Sequence, residues 1–273
     1  MTLTARTAET MIRNRLTMAI MLGSPLMVIA MFAVLFRPGV FDPTAPSPTA
    51  AIMVAFWVAF GAFFFGLTYG LLQITPEVPL MRRERQAGVG AGLQILSKLT
   101  ALTPVLIVIN LAMLGVLVTL DRLPALSAAA AASIALTLGL DAVAALALGL
   151  LASSLVRSTA QAALALPMLC FPAVLFSGAV LPVEVMATAG RGISAAMSDR
   201  WAFELIGRDL GLRELFANDP SPLGPSLLAE FGQAWTHDHG EIWALLTGFA
   251  VAASIGAWIA LDRRCRASER SVS

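Results

Sequence analysis

The sequence predicts an all-α polytopic membrane protein: six transmembrane helices, an N-terminal interfacial helix, a charged cytoplasmic segment between the second and third spans, and a re-entrant or extracellular helical insertion between the fifth and sixth. Three observations carry this. Of 273 residues, 58% are hydrophobic and only 13% charged, with a mean hydropathy of +0.81, whereas a soluble domain is about half apolar and about a quarter charged. Runs long enough to cross roughly 30 Å of hydrocarbon, which takes about 20 helical residues, occur six times. One long polar stretch interrupts them.

The spans are predicted near Leu16 to Phe36, Ala50 to Ile74, Leu93 to Leu120, Leu126 to Leu155, Ala160 to Val180 and Ile242 to Leu261. The first is longer than a signal-peptide core of roughly 7 to 15 residues and lacks a small-residue cleavage motif, so it is expected to be retained. Ahead of it, in segment 1–15, Arg6, Glu9 and Arg13 share one helical face with Met11 and Ile12 off it, the pattern of an interfacial helix; the alternative is an ordered tail. The third and fourth spans, joined only by Asp121 to Ala125, are predicted to form a tight hairpin.

Lys and Arg divide 12 against 6 between the two sets of connections, and four of the six lie in one long loop that counts little for topology. Both termini are therefore expected in the cytoplasm, with the chain multi-pass in the plasma membrane. The long loop, 181–241, carries four arginines against nine acids, a net of −5 that suits the exterior. Basic residues are scattered rather than clustered, which excludes a nucleic-acid surface. Cys170 and Cys265 fall in segments at different depths, so no structural disulfide is expected.

Catalytic signatures are missing. The one lysine, Lys98, has no glycine before it, so no phosphate loop ending Gly-Lys-Ser/Thr exists on this polypeptide. The glycines of 88–92 follow charges rather than a strand, against a dinucleotide cradle. His237 and His239 flank Asp238 in a His-x-His that offers a metal ligand pair, but no other histidine exists to complete it, and a solvated loop is the expected state. Asn110 and Asp141 lie within predicted spans, where polar groups are costly and face a cavity or a partner helix. For Asp141 the expected role is structural, near a span end or bonded to a neighbouring helix. No enzymatic activity and no cofactor is expected on this chain.

Two motifs remain. The connection from Pro76 to Pro104 sets Arg82, Arg83, Glu84 and Arg85 before the small residues around Gly88, then Ser97, Lys98 and Pro104. The stretch Phe171 to Leu210 runs through Phe176-Ser177-Gly178, then Leu181-Pro182, and on to Trp201 and Glu204. In order and spacing the two resemble the permease half of type-2 ABC transporters, above all the G-subfamily (white and pleiotropic-drug-resistance) branch. The resemblance covers nearly the whole chain, as a single permease domain over 1–273. One departure, the lack of cysteines in the outer loop where animal members often carry disulfides, fits a bacterial-type subunit.

The resemblance implies a permease that moves a lipid-like or amphipathic substrate outward, powered by a partner ATPase subunit or domain that binds ATP and Mg. Segment 75–92 becomes a cytoplasmic coupling loop on which that ATPase docks, with Arg82, Arg83, Glu84, Arg85 and Gly88 as its contacts. Ser177, Gly178, Pro182, Trp201 and Glu204 become the outer cap, with Gly178 breaking the helix and Pro182 starting the next. Two six-span halves, a homodimer as the expected pairing, enclose a path lined by Phe56, Phe60, Phe64, Leu175 and Phe176; lipid contact or core packing is the alternative for these. Gly66 and Gly70, spaced Gly-x-x-x-Gly, allow close helix approach between halves or within one. The rival reading is an ion-coupled secondary transporter or channel subunit.

Overall fold

The computed structural model describes residues 15–42, 47–86, 88–218 and 223–269. The predicted interfacial helix lies outside the described residues except for Arg15. Among those described there are eleven α-helices and no strand: α1 (Arg15–Leu35), α2 (Pro48–Leu71), α3 (Val78–Gln86), α4 (Ala91–Thr119), α5 (Ala128–Leu155), α6 (Thr159–Phe176), α7 (Thr188–Ala195), α8 (Ser198–Asp209), α9 (Leu212–Ala217), α10 (Leu223–Phe231) and α11 (His239–Glu269). Five of them, α2, α4, α5, α6 and α11, are long and apolar enough to cross a membrane. In the place of the first predicted span, the apolar part of α1 runs over Gly23–Leu35.

Helix α5 is the hub, packed against α2, α4, α8 and α11. Side-chain caps start two of the helices: the Ser127 hydroxyl accepts from the Ala130 amide at 3.1 Å ahead of α5, and the Ser158 hydroxyl from the Gln161 amide at 3.2 Å ahead of α6, each satisfying an amide that helix geometry leaves unpaired. The hairpin between α4 and α5 turns at Asp121 (φ 55°). There the half-buried end of the Arg122 side chain donates to the carbonyl of Ala33 at 3.2 Å, tying the hairpin to the end of α1.

The closest packing in the chain is between α2 and α5. A Cβ built on Gly66 would lie 2.1 Å from the carbonyl oxygen of Ala142, one on Gly70 2.4 Å from that of Leu146, and one on Gly149 2.6 Å from that of Leu67. The Gly-x-x-x-Gly pair of α2 thus meets a helix of its own chain, which settles the alternative left by the spacing. Without side chains between them the two backbones touch, the arrangement by which small residues let helices associate in lipid.

Adding one methyl at this seam has to separate two backbones rather than push aside a side chain. Gly66→Ala and Gly149→Ala are each expected to lower stability by about 1 to 3 kcal/mol. Gly115→Ala, where a Cβ meets nothing within 4 Å, is expected to be neutral or stabilising, since alanine is the better helix former. Thermal denaturation of the purified protein in detergent distinguishes the three.

Candidate functional site: the elbow and the insertion

At one end of the bundle, α2 leads into α3 through a 3-10 turn, Thr75–Glu77. The turn is held by Ser153 of α5, whose hydroxyl accepts from the amides of Ile74 and Thr75 at 3.2 Å each. Lys98, 2% exposed, places its ammonium 2.8 Å from Glu77 Oε2 and 3.5 Å from Gln73 Oε1. Helix α3 is then pinned on two sides: Arg85 pairs with Asp262 of α11 at 2.9 Å, and Glu84 accepts from Gln94 Nε2 of α4 at 3.3 Å. Gly88, at φ 93°, closes the helix. Its amide donates to the carbonyl of Arg85 and that of Val89 to Glu84, both at 2.9 Å, the paired bonds of a left-handed C-cap that glycine adopts at least cost.

Of the predicted contacts in this elbow, Glu84 and Arg85 are therefore turned inward to α4 and α11, whereas Arg83 is exposed. The side chain of Arg82 lies outside the described set. The pairings were not legible because Asp262 is 177 residues from Arg85; only the fold joins them.

At the other end stands the insertion. The Ser177 hydroxyl donates to the carbonyl of Val174 at 3.0 Å and accepts from the amide of Ala179 at 3.2 Å, while Gly178 (φ 88°) breaks the helix. Pro182 caps a 3-10 turn, Val183–Val185, and Arg191 folds back on that turn by donating to the carbonyls of Glu184 and Met186. Trp235 is the centre of the cap: it stacks on Phe231 with ring centroids 4.9 Å apart and meets Phe216 and Phe203 edge-on. A Cβ on Gly207 would lie 2.3 Å from the indole nitrogen of Trp235, so α8 needs a glycine there.

Glu204 is 5% exposed. It contacts the Nδ1 of His237 and lies 3.5 Å from Arg200, whose guanidinium sits 3.9 Å above the Trp201 ring. His239 meets Asp209 at 2.8 Å. The His-x-His pair is thus not the solvated loop expected from the sequence: each histidine ties the approach to α11 onto a carboxylate of α8. Among the described residues no group of three or more His, Cys, Asp or Glu is placed to hold a metal.

Helix α8 packs against α2, α5 and α11, and Phe203 meets Phe56 of α2 edge-on, ring centroids 6.5 Å apart. Beside that contact lie two carboxyl groups. Asp141 is fully buried and Asp199 1% exposed; none of their four oxygens closes a hydrogen bond of normal geometry, although the amides of Asp199 and Arg200 at the start of α8 face the Asp199 carboxyl. The Ser198 side chain faces Asp141 without closing a bond of normal geometry. Burial, and secondly the charge of Asp141, push the Asp199 carboxyl well above the usual carboxylate range. Asp141 is thus mid-helix rather than near a span end, and the polar group that faces it, Ser198, belongs to the neighbouring helix α8. Sequence reasoning missed Asp199, yet a signal exists: Asp199, Ala202, Phe203 and Ile206 recur at i, i+3, i+4 and i+7, so the acid shares the apolar face of its helix.

Of the five residues expected to line a path, Phe56, Phe60 and Phe64 follow one another along α2 with neighbouring rings in contact. Phe56 is 1% exposed and belongs to the core, in contact with Trp57, Phe60 and Phe203; its apolar type and mid-span position fit core packing as well as a path, which is why the sequence did not separate the two. Phe60 and Phe64 line an apolar groove of about 570 Å³ against Met27, Met31 and Val34 of α1. Leu175 is exposed and Phe176 half-buried at the end of α6.

A bundle of apolar spans with a braced charged elbow at one end and a folded insertion at the other is the architecture of a multi-pass membrane permease domain. The chain matches the ABC-2 type transporter family over residues 1–206, and it belongs to that family. Membership makes it a permease component of an ABC transporter and implies an associated ABC ATPase subunit. No curated protein matches the chain.

The Lys98 and Glu77 pair gives a direct test of the brace. Glu77→Ala strands a buried ammonium and is expected to cost about 2 to 3 kcal/mol, less than for a fully buried pair because Glu77 still reaches solvent. Glu77→Gln combined with Lys98→Met removes both charges and is expected to recover most of that loss, read as the midpoint of denaturant unfolding.

Proposed function

We propose that this chain is the membrane half of an ABC exporter that moves a lipid-like or amphipathic substrate outward, driven by an ATPase that docks on α3. The observation that carries the reading is the bracing of α3 and the turn before it to two spans, α4 through Glu77 and Lys98 and through Glu84 and Gln94, and α11 through Arg85 and Asp262, while α2 leads directly into them. A helix so held transmits a push to α2, α4 and α11 together, whereas an unbraced loop absorbs it. Arg83 then faces the ATPase, and Glu84 and Arg85 act from behind it.

In this reading α1 is the sixth span, the α3 end and both termini are cytoplasmic, and the insertion is the outer cap, with α8 re-entering the membrane alongside α2 and α5. A second six-span half, a second copy of this chain, seats on α6, where Leu164, Met168, Phe171 and Leu175 form an exposed stripe at helical spacing. The groove beside Phe60 and Phe64 suits an apolar or amphipathic solute. ATP binding and hydrolysis take place on the partner, and motion between two packed states opens the cap. The unpartnered carboxyl pair Asp141 and Asp199 is the observation that favours the rival, an ion-coupled carrier.

Arg83→Glu is expected to reduce recovery of a co-expressed ABC ATPase by about tenfold, the effect of roughly 1.4 kcal/mol of lost association, with the melting temperature of the permease unchanged. Arg85→Glu is expected to lower that melting temperature, because it sets two acids against each other at Asp262. Substrate flux by the pure chain under an ion gradient alone overturns the proposal.

A further inference from the structure

The contacts that fasten the insertion to the spans include the aromatic edge of Phe203 on Phe56, the cluster of Leu205 with Ile242 and Leu246, the histidine pairs at the head of α11, and the contact of α8 with α5, where Asp199 lies within the field of Asp141. The first three are satisfied. The last holds two acids and no base.

The surroundings of that contact offer no positive charge among the described residues. Helix α5 has no charged residue besides Asp141. From α8, Arg200 is the nearest cation in sequence, but its guanidinium lies over Trp201 and reaches Glu204. From α2 the one ionisable group is Tyr69, a phenol; from α6 it is Cys170, a thiol within the field of Asp199. Lys98 of α4 is engaged with Glu77 at the opposite end. On α11, His239 is engaged with Asp209, Glu241 is exposed, and the remaining charges lie at the α3 end.

Asp141 stands thirteen residues into α5, about 20 Å along the helix, too deep for bulk water to solvate it. Two bare carboxylates there face the full desolvation cost of each charge and their mutual repulsion, and like charges sharing one site do not both stay ionised. Ser198, 7% exposed and turned toward Asp141, is a donor poised for a carboxyl oxygen but supplies no charge. The remaining neutralising species that needs no further ligand is a proton. An apolar cavity of about 180 Å³, lined by Ser198, Met197, Phe63, Ala144 and Phe249, opens beside the start of α8.

We propose that Asp141 and Asp199 form a proton-binding carboxyl pair that latches α8 onto α5. With the proton bound, the two acids carry at most one charge between them and the insertion sits down on the spans. When it leaves, two like charges repel across the contact and α8 is pushed off. This inference concerns the closed insertion itself and does not rest on the transport reading.

The sign follows from the buried acid. A group whose folded affinity for protons exceeds its unfolded one stabilises the fold below the ordinary carboxylate range near 4, and that stabilisation is lost as pH rises toward the folded value. The test uses the full chain in lipid nanodiscs. Wild type is expected to show a protonated-carboxyl stretch in its infrared spectrum at neutral pH, to lose melting temperature between about pH 5 and about pH 8, and to speed amide exchange in α8 by about tenfold over that range. Asp141→Asn with Asp199→Asn, which mimics the neutral acids in shape, is expected to lose the infrared band and to flatten both pH dependences. Absence of the band in wild type at neutral pH overturns the proposal without any variant, as does a band that survives the double substitution. Stabilisation of wild type by sodium or calcium ions at fixed pH, absent in the variant, overturns it in favour of a bound metal cation.

Discussion

The rest of the structure depends on the contact of α2 with α5 through Gly66, Gly70 and Gly149, where one helix backbone rests on the carbonyl groups of the other. Lipid tails are as apolar as leucine, so burying hydrophobic side chains gives little reason for helices to associate in a bilayer; close packing of surfaces does. Because the seam joins the span that leads into the elbow to the hub that meets α8, it fixes the distance between the two ends at which the chain meets anything else. The brace at Lys98 and the cap at Trp235 are built on that spacing.

The elbow and the insertion obey opposite economies. Around α3, charged side chains are paired between separate parts of the chain, Glu77 with Lys98 and Arg85 with Asp262, which sets register more than it adds strength. The insertion relies on aromatic rings and backbone bends, with Trp235 held at a positive φ of 64° among Phe203, Phe216 and Phe231. A non-glycine residue in that region is uncommon, and the three rings around it over-determine its place.

Much of this was legible in the sequence. The ends of α2, α4, α5 and α6 fall within a few residues of the predicted spans because hydropathy and length decide them. Gly178 and Pro182 announced their turn through backbone chemistry alone. What was hidden had a common cause: the residue types were ambiguous until a distant partner arrived. Glu84 and Arg85 read as contacts for an ATPase, Phe56 read as path or core, and His237 read as loop, because Gln94, Asp262, Phe203 and Glu204 reach them only in the folded chain. Asp199 was overlooked among nine acids of the insertion, although its spacing to Phe203 and Ile206 placed it on the buried face.

The chain holds a single lysine, and it is the 2% exposed Lys98 inside the elbow. Its surface cations are therefore guanidinium groups, planar and permanently charged. Amine-directed labels and crosslinkers find no accessible lysine here, and enzymes that modify lysine side chains have no target on the outside of the fold.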